Sequence, residues 1–391
     1  MQLSAIRSLV GRSGLGAVRR ILLQRVLYRW LRRRPVDPSL AVFATYWYRG
    51  YGCNPAAIYE RAAQTVSGFR GVWVVDREHA NNMPAGVEFV VAGSPAYYRV
   101  LAQARVLVNN VNFPNYFVKR ADTLHVQTHH GTPLKRMGLD LQGKDLATAP
   151  HDLDALRTRC ARWDFSIAGN AYAAEIWSRS FPGTYRTLLT GQPRNDVLSR
   201  ATADDRQRYR EALGLEAGDK VLLYLPTHRD DEDTHVDRLD RDRLLAGLGD
   251  EWVALWRPHH RYTSSGAHAG RAGRFVDVGA YPSVEELYIA ADVLVTDYSS
   301  AMFDFAILDK PIVIFAPDWE EYERERGVYF DLTEEPPGVV VRTTDQVVTT
   351  LTEGLHTSPD AQRNLAAFRD RFCHLEDGHA AQRVVQEVWE T

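Results

Sequence analysis

From Pro35 onward, short β-rich apolar runs alternate with stretches whose apolar residues recur at helical spacing. Residues 41–45, 71–75, 87–91, 105–109, 123–127 and 165–168 read as buried strands, with helices over 56–66, 96–104 and 171–180. The second half restarts the rhythm. Strands are expected at 220–225, 252–256, 274–278, 293–296 and 311–315, and helices at 201–213, 284–291 and 301–308. Such alternation predicts parallel sheets covered by helices, an α/β protein of doubly wound type. A turn-rich segment at 191–196 and a polar helix after it place a domain boundary near 195–220, dividing the chain into 35–200 and 201–391. Residues 230–242 are so charged that they read as a solvated loop. A last helix over 378–390 is expected to return to the first domain.

The central stretch is Val293-Leu-Val-Thr-Asp-Tyr-Ser-Ser-Ala-Met-Phe-Asp304. A buried strand feeds a helix through a serine turn, with Ser299 or Ser300 where an N-cap belongs. Free N–H groups and the positive end of a helix dipole there suit a phosphate. Taken alone, a Ser-Ser turn more often only caps its helix, and it is the polar groups at the other strand ends that raise it above that reading. Ligands of parallel sheets lie at the strands' carboxyl ends, and other such ends here are also polar. Leu124-His-Val-Gln127 runs into Thr128-His-His-Gly-Thr-Pro133, residues 220–225 into Pro226-Thr-His-Arg-Asp230, and 252–256 into Arg257-Pro-His-His260. Gly131 lets backbone approach a ligand closely. The converging groups would be Arg257, His259, Ser299 and Ser300 from one domain, faced by His130 from the other. Cationic and N–H donors suit a diphosphate, and a cleft histidine can take a proton from an attacking hydroxyl. No Walker A loop, Gly-x-Gly-x-x-Gly after a strand, Gly-x-Ser-x-Gly elbow or Cys/His metal cluster is present. Neither a metal nor a cofactor is expected, because the helix dipole, Arg and His can supply the positive charge.

Composition changes this picture in two places. Cys53, Cys160 and Cys373 are odd in number and lack metal-ligand spacing, which argues for a reducing cytosol. The formal net charge is -3, but residues 1–34 carry nine Arg and no acid, so the body is correspondingly acidic. The longest apolar run in that head, 21–23, cannot cross a bilayer. Leu15, Val18, Leu22 and Val26 share a helical face blurred by Arg25 and Arg29. The head reads as a membrane-surface helix, a solvated basic helix, a helix packed on the body or an organellar presequence. An anionic membrane surface is the expected partner, not nucleic acid.

On these motifs the chain resembles the CDP-glycerol glycerophosphotransferase family of teichoic acid and capsular polymer primases and polymerases. The matching pieces, in order, are His129-His-Gly-Thr-Pro-Leu-Lys-Arg-Met-Gly138, Gly191-Gln-Pro-Arg-Asn-Asp196, Pro226-Thr-His-Arg-Asp230, Arg257-Pro-His259, Thr296-Asp-Tyr-Ser-Ser300 through Asp304, and Asp377-Gly378. The resemblance implies two Rossmann-like domains facing a cleft, of the GT-B type. It implies transfer of glycerol phosphate from CDP-glycerol to a hydroxyl of a lipid-linked polyol-phosphate or glycan acceptor, releasing CMP, at the cytoplasmic face of the membrane. By position, His130 matches the family's base and His259 its second active-site histidine. His129, Gly131, Thr132, Pro133, Arg194, Pro226, Thr227, Arg257, Pro258, Ser299, Ser300 and Asp304 match donor-binding positions. Two departures leave open which histidine of each pair acts: His129 stands where Trp is usual, and His260 where Pro is common. The alternatives are a CDP-ribitol or nucleotide-sugar transferase on the same fold, or a non-catalytic scaffold binding membrane or polymer.

Overall fold

A computed structural model describes residues 21–143, 152–227, 238–257 and 274–390. Two sheets organise it. The first contains β1 (Asp37–Ala44), β2 (Arg70–Val75), β3 (Phe89–Val91), β4 (Ala104–Asn109), β5 (Leu124–Gln127), β6 (Phe165–Ala168) and β7 (Arg186–Leu189), in the order β3-β2-β1-β4-β5-β6-β7. The second contains β8 (Lys220–Leu225), β9 (Trp252–Trp256), β10 (Phe275–Asp277), β11 (Val293–Thr296), β12 (Ile312–Phe315) and β13 (Val339–Val341), in the order β10-β9-β8-β11-β12-β13. Every strand pairing is parallel. This is the doubly wound, two-domain α/β architecture that the alternation predicts.

The central strands are buried on both faces, as parallel strands beneath helices must be. Successive residues of β8 divide between two cores. Val221 and Leu223 pack with Leu255 and Leu294, whereas Leu222 and Tyr224 pack with Trp256 and Val295. Each sheet reverses its strand order once, between β1 and β4 and between β8 and β11, and the crevice at such a switch point is where ligands bind.

Strands β7 and β13 were not expected from the pattern. Both are edge strands: in β7 the polar Arg186 and Thr187 shorten the apolar run and Arg186 and Leu189 are exposed, while β13 is only three valines long, two of them half-buried. The segment 230–242 lies mostly outside the described residues, and its last two residues open a helix, Arg241–Gly247, capped by the Asp240 side chain.

Three helices position the cleft: α1 (Cys53–Thr65), α2 (Ala301–Ala306) and α3 (Ala380–Trp389). Helix α3 crosses back to the first sheet. Its Val384, Val385 and Val388 join Ile58 of α1 with Val106, Val126 and Ile167 in one core. The Asp196 carboxylate caps α3 across the chain, accepting the Ala380 and Ala381 N–H groups at 2.8 and 2.9 Å.

Of the basic head, residues 1–20 lie outside the described residues. Leu22–Leu27 and Tyr28–Leu31 are helical. Tyr28 and Leu31 are buried against Tyr98 and its neighbours, while Ile21, Leu22, Val26 and Trp30 are exposed on the other side. No described helix is long and apolar enough to cross a membrane.

Candidate active site

A cleft of about 1720 Å³ lies between the carboxyl edges of the two sheets. Its first-domain wall includes Tyr46, Trp47 and His130, and its second-domain wall includes Arg257, Ser299 and Ser300.

The histidine pair after β5 is split. His129 has a left-handed backbone, φ +48°, and does not line the cleft. It is buried in the first domain, stacked on Trp177 at 4.2 Å with Nε2 3.0 Å from the Ser166 hydroxyl. Burial pushes its pKa down to about 3. The expectation of a donor contact from His129 therefore gives way to a core role, with imidazole filling an aromatic slot. His130 faces the cleft. Its Nδ1 lies 3.2 Å from the Asn110 carbonyl, which can only accept, so Nδ1 carries the proton and Nε2 keeps its lone pair. Enclosure in the cleft lowers its pKa below the ordinary histidine value; Arg194 adds to this and the Asn110 bond opposes it.

Gly131 follows with φ +140°. A Cβ there would come within 3.0 Å of Arg194 and 3.5 Å of the Ser300 Oγ, so glycine permits a close approach of the two domains here. Thr132 and Pro133 lie behind this wall: Thr132 Oγ1 accepts from Asn170 at 3.1 Å, and the Pro133 carbonyl accepts from the Tyr172 hydroxyl at 2.9 Å.

On the second domain, the N-cap position of α2 is Ser300, but the cap is made by Ser299, whose Oγ accepts the Ala301 N–H at 3.3 Å. The Ser300 side chain lines the cleft. Arg257 reaches the same wall while donating to the Val278 and Tyr281 carbonyls at 3.2 and 2.8 Å. Pro226 and Thr227 close β8 behind it, with the Thr227 N–H bonded to Asp297 at 2.7 Å. His259, Pro258 and His260 lie outside the described residues, as do residues 228–230.

Arg194 and Asp304 meet each other. The guanidinium donates to Asp304 Oδ2 at 2.7 Å and to the His130 carbonyl at 2.6 Å. Asn195 donates to the other Asp304 oxygen at 2.9 Å. Both carboxylate oxygens of this second-domain residue are thus held by first-domain donors.

Sequence reasoning missed three features. Glu285 lines the cleft, and burial raises its carboxyl pKa against the pull of Arg194. A Glu in the first turn of a helix otherwise signals only a dipole contact. Asn110 fixes the His130 tautomer through a backbone carbonyl, which leaves no side-chain signature. Tyr46, Trp47 and Tyr48 take φ values of +42°, +56° and +76° in succession. Each such residue costs on the order of 1–2 kcal/mol, and composition carries no sign of it.

Known proteins share this fold and its family. Residues 26–390 match the family described as CDP-Glycerol:Poly(glycerophosphate) glycerophosphotransferase. The teichoic acid poly(glycerol phosphate) polymerase of Bacillus subtilis (strain 168) is 31% identical over 93% of this chain, which spans 50% of that relative's length. The teichoic acid glycerol-phosphate transferase of Staphylococcus aureus (strain NCTC 8325 / PS 47) is also 31% identical, over 93% of this chain and 95% of its own. A structure of the wall teichoic acid polymerase TagF, a histidine-to-asparagine variant with CDPG soaked in, superposes with a TM-score of 0.84. It is 30% identical and covers 95% of this chain and 92% of its own. The chain is therefore a member of the CDP-glycerol:poly(glycerophosphate) glycerophosphotransferase family.

Proposed function

We propose that the cleft transfers glycerol phosphate from CDP-glycerol to a hydroxyl of a polyol-phosphate or glycan acceptor, releasing CMP. The observation that carries this reading is that Gly131, the residue after His130, lies against Ser300 of the serine turn, with both His130 and Ser300 lining the cleft. A histidine with a free Nε2 and a serine turn at a helix N-terminus lie on opposite walls of one cleft, which supports roles as proton acceptor and phosphate holder. Family membership and the CDPG-soaked relative support the donor assignment.

In this reading Ser299, Ser300 and Arg257 hold the diphosphate. Arg194 and Asp304 fix how closely the two walls approach. His130 Nε2 takes the proton from the acceptor hydroxyl as its oxygen attacks the β-phosphorus. The bond from that phosphorus to the bridging oxygen breaks, and CMP carries the electron pair away. Positioning and charge stabilisation supply most of the rate. The acceptor is lipid-linked, and the protein works at the cytoplasmic membrane face. Exposed Ile21, Leu22, Val26 and Trp30 beside Arg25 and Arg29 support a surface contact there.

The test is to incubate purified protein with CDP-glycerol, CDP-ribitol or a nucleotide sugar, each with a polyol-phosphate acceptor, and to follow CMP. Acceptor-dependent CMP release with CDP-glycerol is the expected result. Release with CDP-ribitol alone would reassign the donor. No release from any donor, despite binding to membrane or polymer, would favour a scaffold.

A further inference from the structure

We propose that Tyr46 and Trp47 form the platform on which the acceptor chain end lies, with Arg49 receiving its preceding phosphate. The inference rests on the transferase reading above and goes further, because it assigns the acceptor side of the cleft.

The first observation is exposure. Trp47 is 60% and Tyr46 40% exposed, although both line the cleft rather than the outer surface. The second is that the fold holds them there against their own backbone preference. Three bulky residues in succession are left-handed. The turn is fixed at several points. The Tyr48 N–H donates to the Thr45 carbonyl at 2.7 Å, and the Thr45 hydroxyl to the Gly50 carbonyl at 2.7 Å. The Tyr46 N–H donates to the Asn110 side chain at 2.9 Å, and the Tyr48 hydroxyl pairs with that of Tyr97 at 3.1 Å. Strain over-determined in this way accumulates where a ligand must be clamped. The third is placement. The Tyr46 ring lies 5.9 Å from the His130 ring in an edge contact, and Asn110 binds both the Tyr46 N–H and the His130 ring.

In-line displacement requires the nucleophile to enter opposite the leaving CMP. With the donor held on the second domain, that side is the first-domain wall formed by His130, Tyr46, Trp47 and Arg49. Aromatic faces carry negative charge density and attract the weakly positive C–H groups of a polyol backbone. An exposed guanidinium suits the phosphodiester one unit back. A polyol-phosphate end offers both groups at once.

The test compares wild type with Trp47→Asn, which tolerates the left-handed backbone, and Trp47→Phe, which keeps the aromatic face. Two quantities are measured: KM for a short soluble poly(glycerol phosphate) oligomer, and CDP-glycerol affinity by calorimetry. Trp47→Asn should raise the acceptor KM by about 3- to 10-fold, the loss of one aromatic partner. Donor affinity should stay within about twofold, a difference well under 1.4 kcal/mol, and Trp47→Phe should recover most of the acceptor KM. An acceptor KM unchanged in Trp47→Asn, with wild type turning over, overturns the platform and leaves the transferase reading intact. Donor affinity falling as far as acceptor affinity also overturns it, making the pair a nucleobase shelf. If wild type transfers nothing from CDP-glycerol, the oligomer is titrated directly without donor. Binding lost in Trp47→Asn then supports the platform independently of the donor, and absence of binding by wild type sinks it.

Discussion

Arg194 and Asp304 form an ion pair at 2.7 Å between the two domains, with only 9% and 8% of the side chains exposed. Removing one partner strands a buried charge, which typically costs about 3–5 kcal/mol. Arg194→Ala and Asp304→Ala should each lower stability by that order in denaturant unfolding. The double variant should lose less than the sum, because each single change already abolishes the shared contact. If both single variants unfold like wild type but lose donor affinity, the pair serves the ligand rather than the domain contact.

The split of the histidine pair makes opposite forecasts for its members. His130→Ala should cut turnover by about 100- to 10,000-fold, the usual cost of a general base, with donor binding still measurable. His129→Ala should leave a cavity against Trp177 and cost about 2–5 kcal/mol of stability. Kinetics and melting of the two variants, side by side, decide the assignment. A dead His129→Ala with unchanged melting would reverse it.

The His130 pKa is lowered by its enclosure, with Arg194 adding to the shift. A base acts in its neutral form, so kcat/KM should fall on the acid side with a midpoint below the ordinary histidine value of about 6.5. Arg194→Gln should move that midpoint upward. A limb centred above pH 7 in wild type would contradict the enclosure.

Stability should respond to acid through different histidines. His125 and His129 are buried, and burial holds each at about 3. Below the unfolded value near 6.5 the unfolded chain binds protons that the native state refuses, so stability should decline as pH falls toward 3. Glu376, raised to about 8 chiefly by burial, has the opposite sign: its contribution fades as pH rises from its unfolded value through 8. Unfolding curves should therefore show a steeper rise between pH 4.5 and 6.5 in Glu376→Gln than in wild type. An unchanged slope would mean that Glu376 is ionised in the native state.

The head presents two faces with separate tests. Replacing Ile21, Leu22, Val26 and Trp30 by Ser should weaken sedimentation with anionic vesicles without lowering the melting temperature. Deleting residues 2–34 should also lower the melting temperature, because Tyr28 and Leu31 belong to the first-domain core. Each basic group near an anionic surface contributes about 1 kcal/mol, so residual binding should disappear at high salt. Undiminished binding by the Ser variant would move the contact elsewhere on the first domain.

How much the sequence revealed follows from the kind of interaction involved. Central strands such as β8 and β11 declare themselves because burial on both faces demands unbroken apolar runs. Edge strand β7 does not, because solvent relaxes that demand, and β13 escapes notice because its apolar run is only three residues long. Ser300 and His130 were legible from their places at strand ends. Asn110 was not, because it acts on His130 through a carbonyl that every residue possesses. The burial of His129 was hidden as well: its ring stacks on Trp177, a residue far along the chain, and nothing beside His130 in the sequence announces that contact.

Helix α3 has a consequence for synthesis on the ribosome. Its N–H groups are capped by Asp196, 184 residues upstream, and its valines complete the core over α1. At ~5–20 residues per second, the first domain waits on the order of ten to forty seconds for its last piece. Through that interval Ile58, Val106 and Val126 have no Val384 to cover them, and a nascent chain in that state is a client for whatever shields apolar surface during translation. The second domain's own core takes in Phe368 and Phe372, so it too closes only just before α3 emerges. The two domains are then completed nearly together, although most of the first is made long before the second.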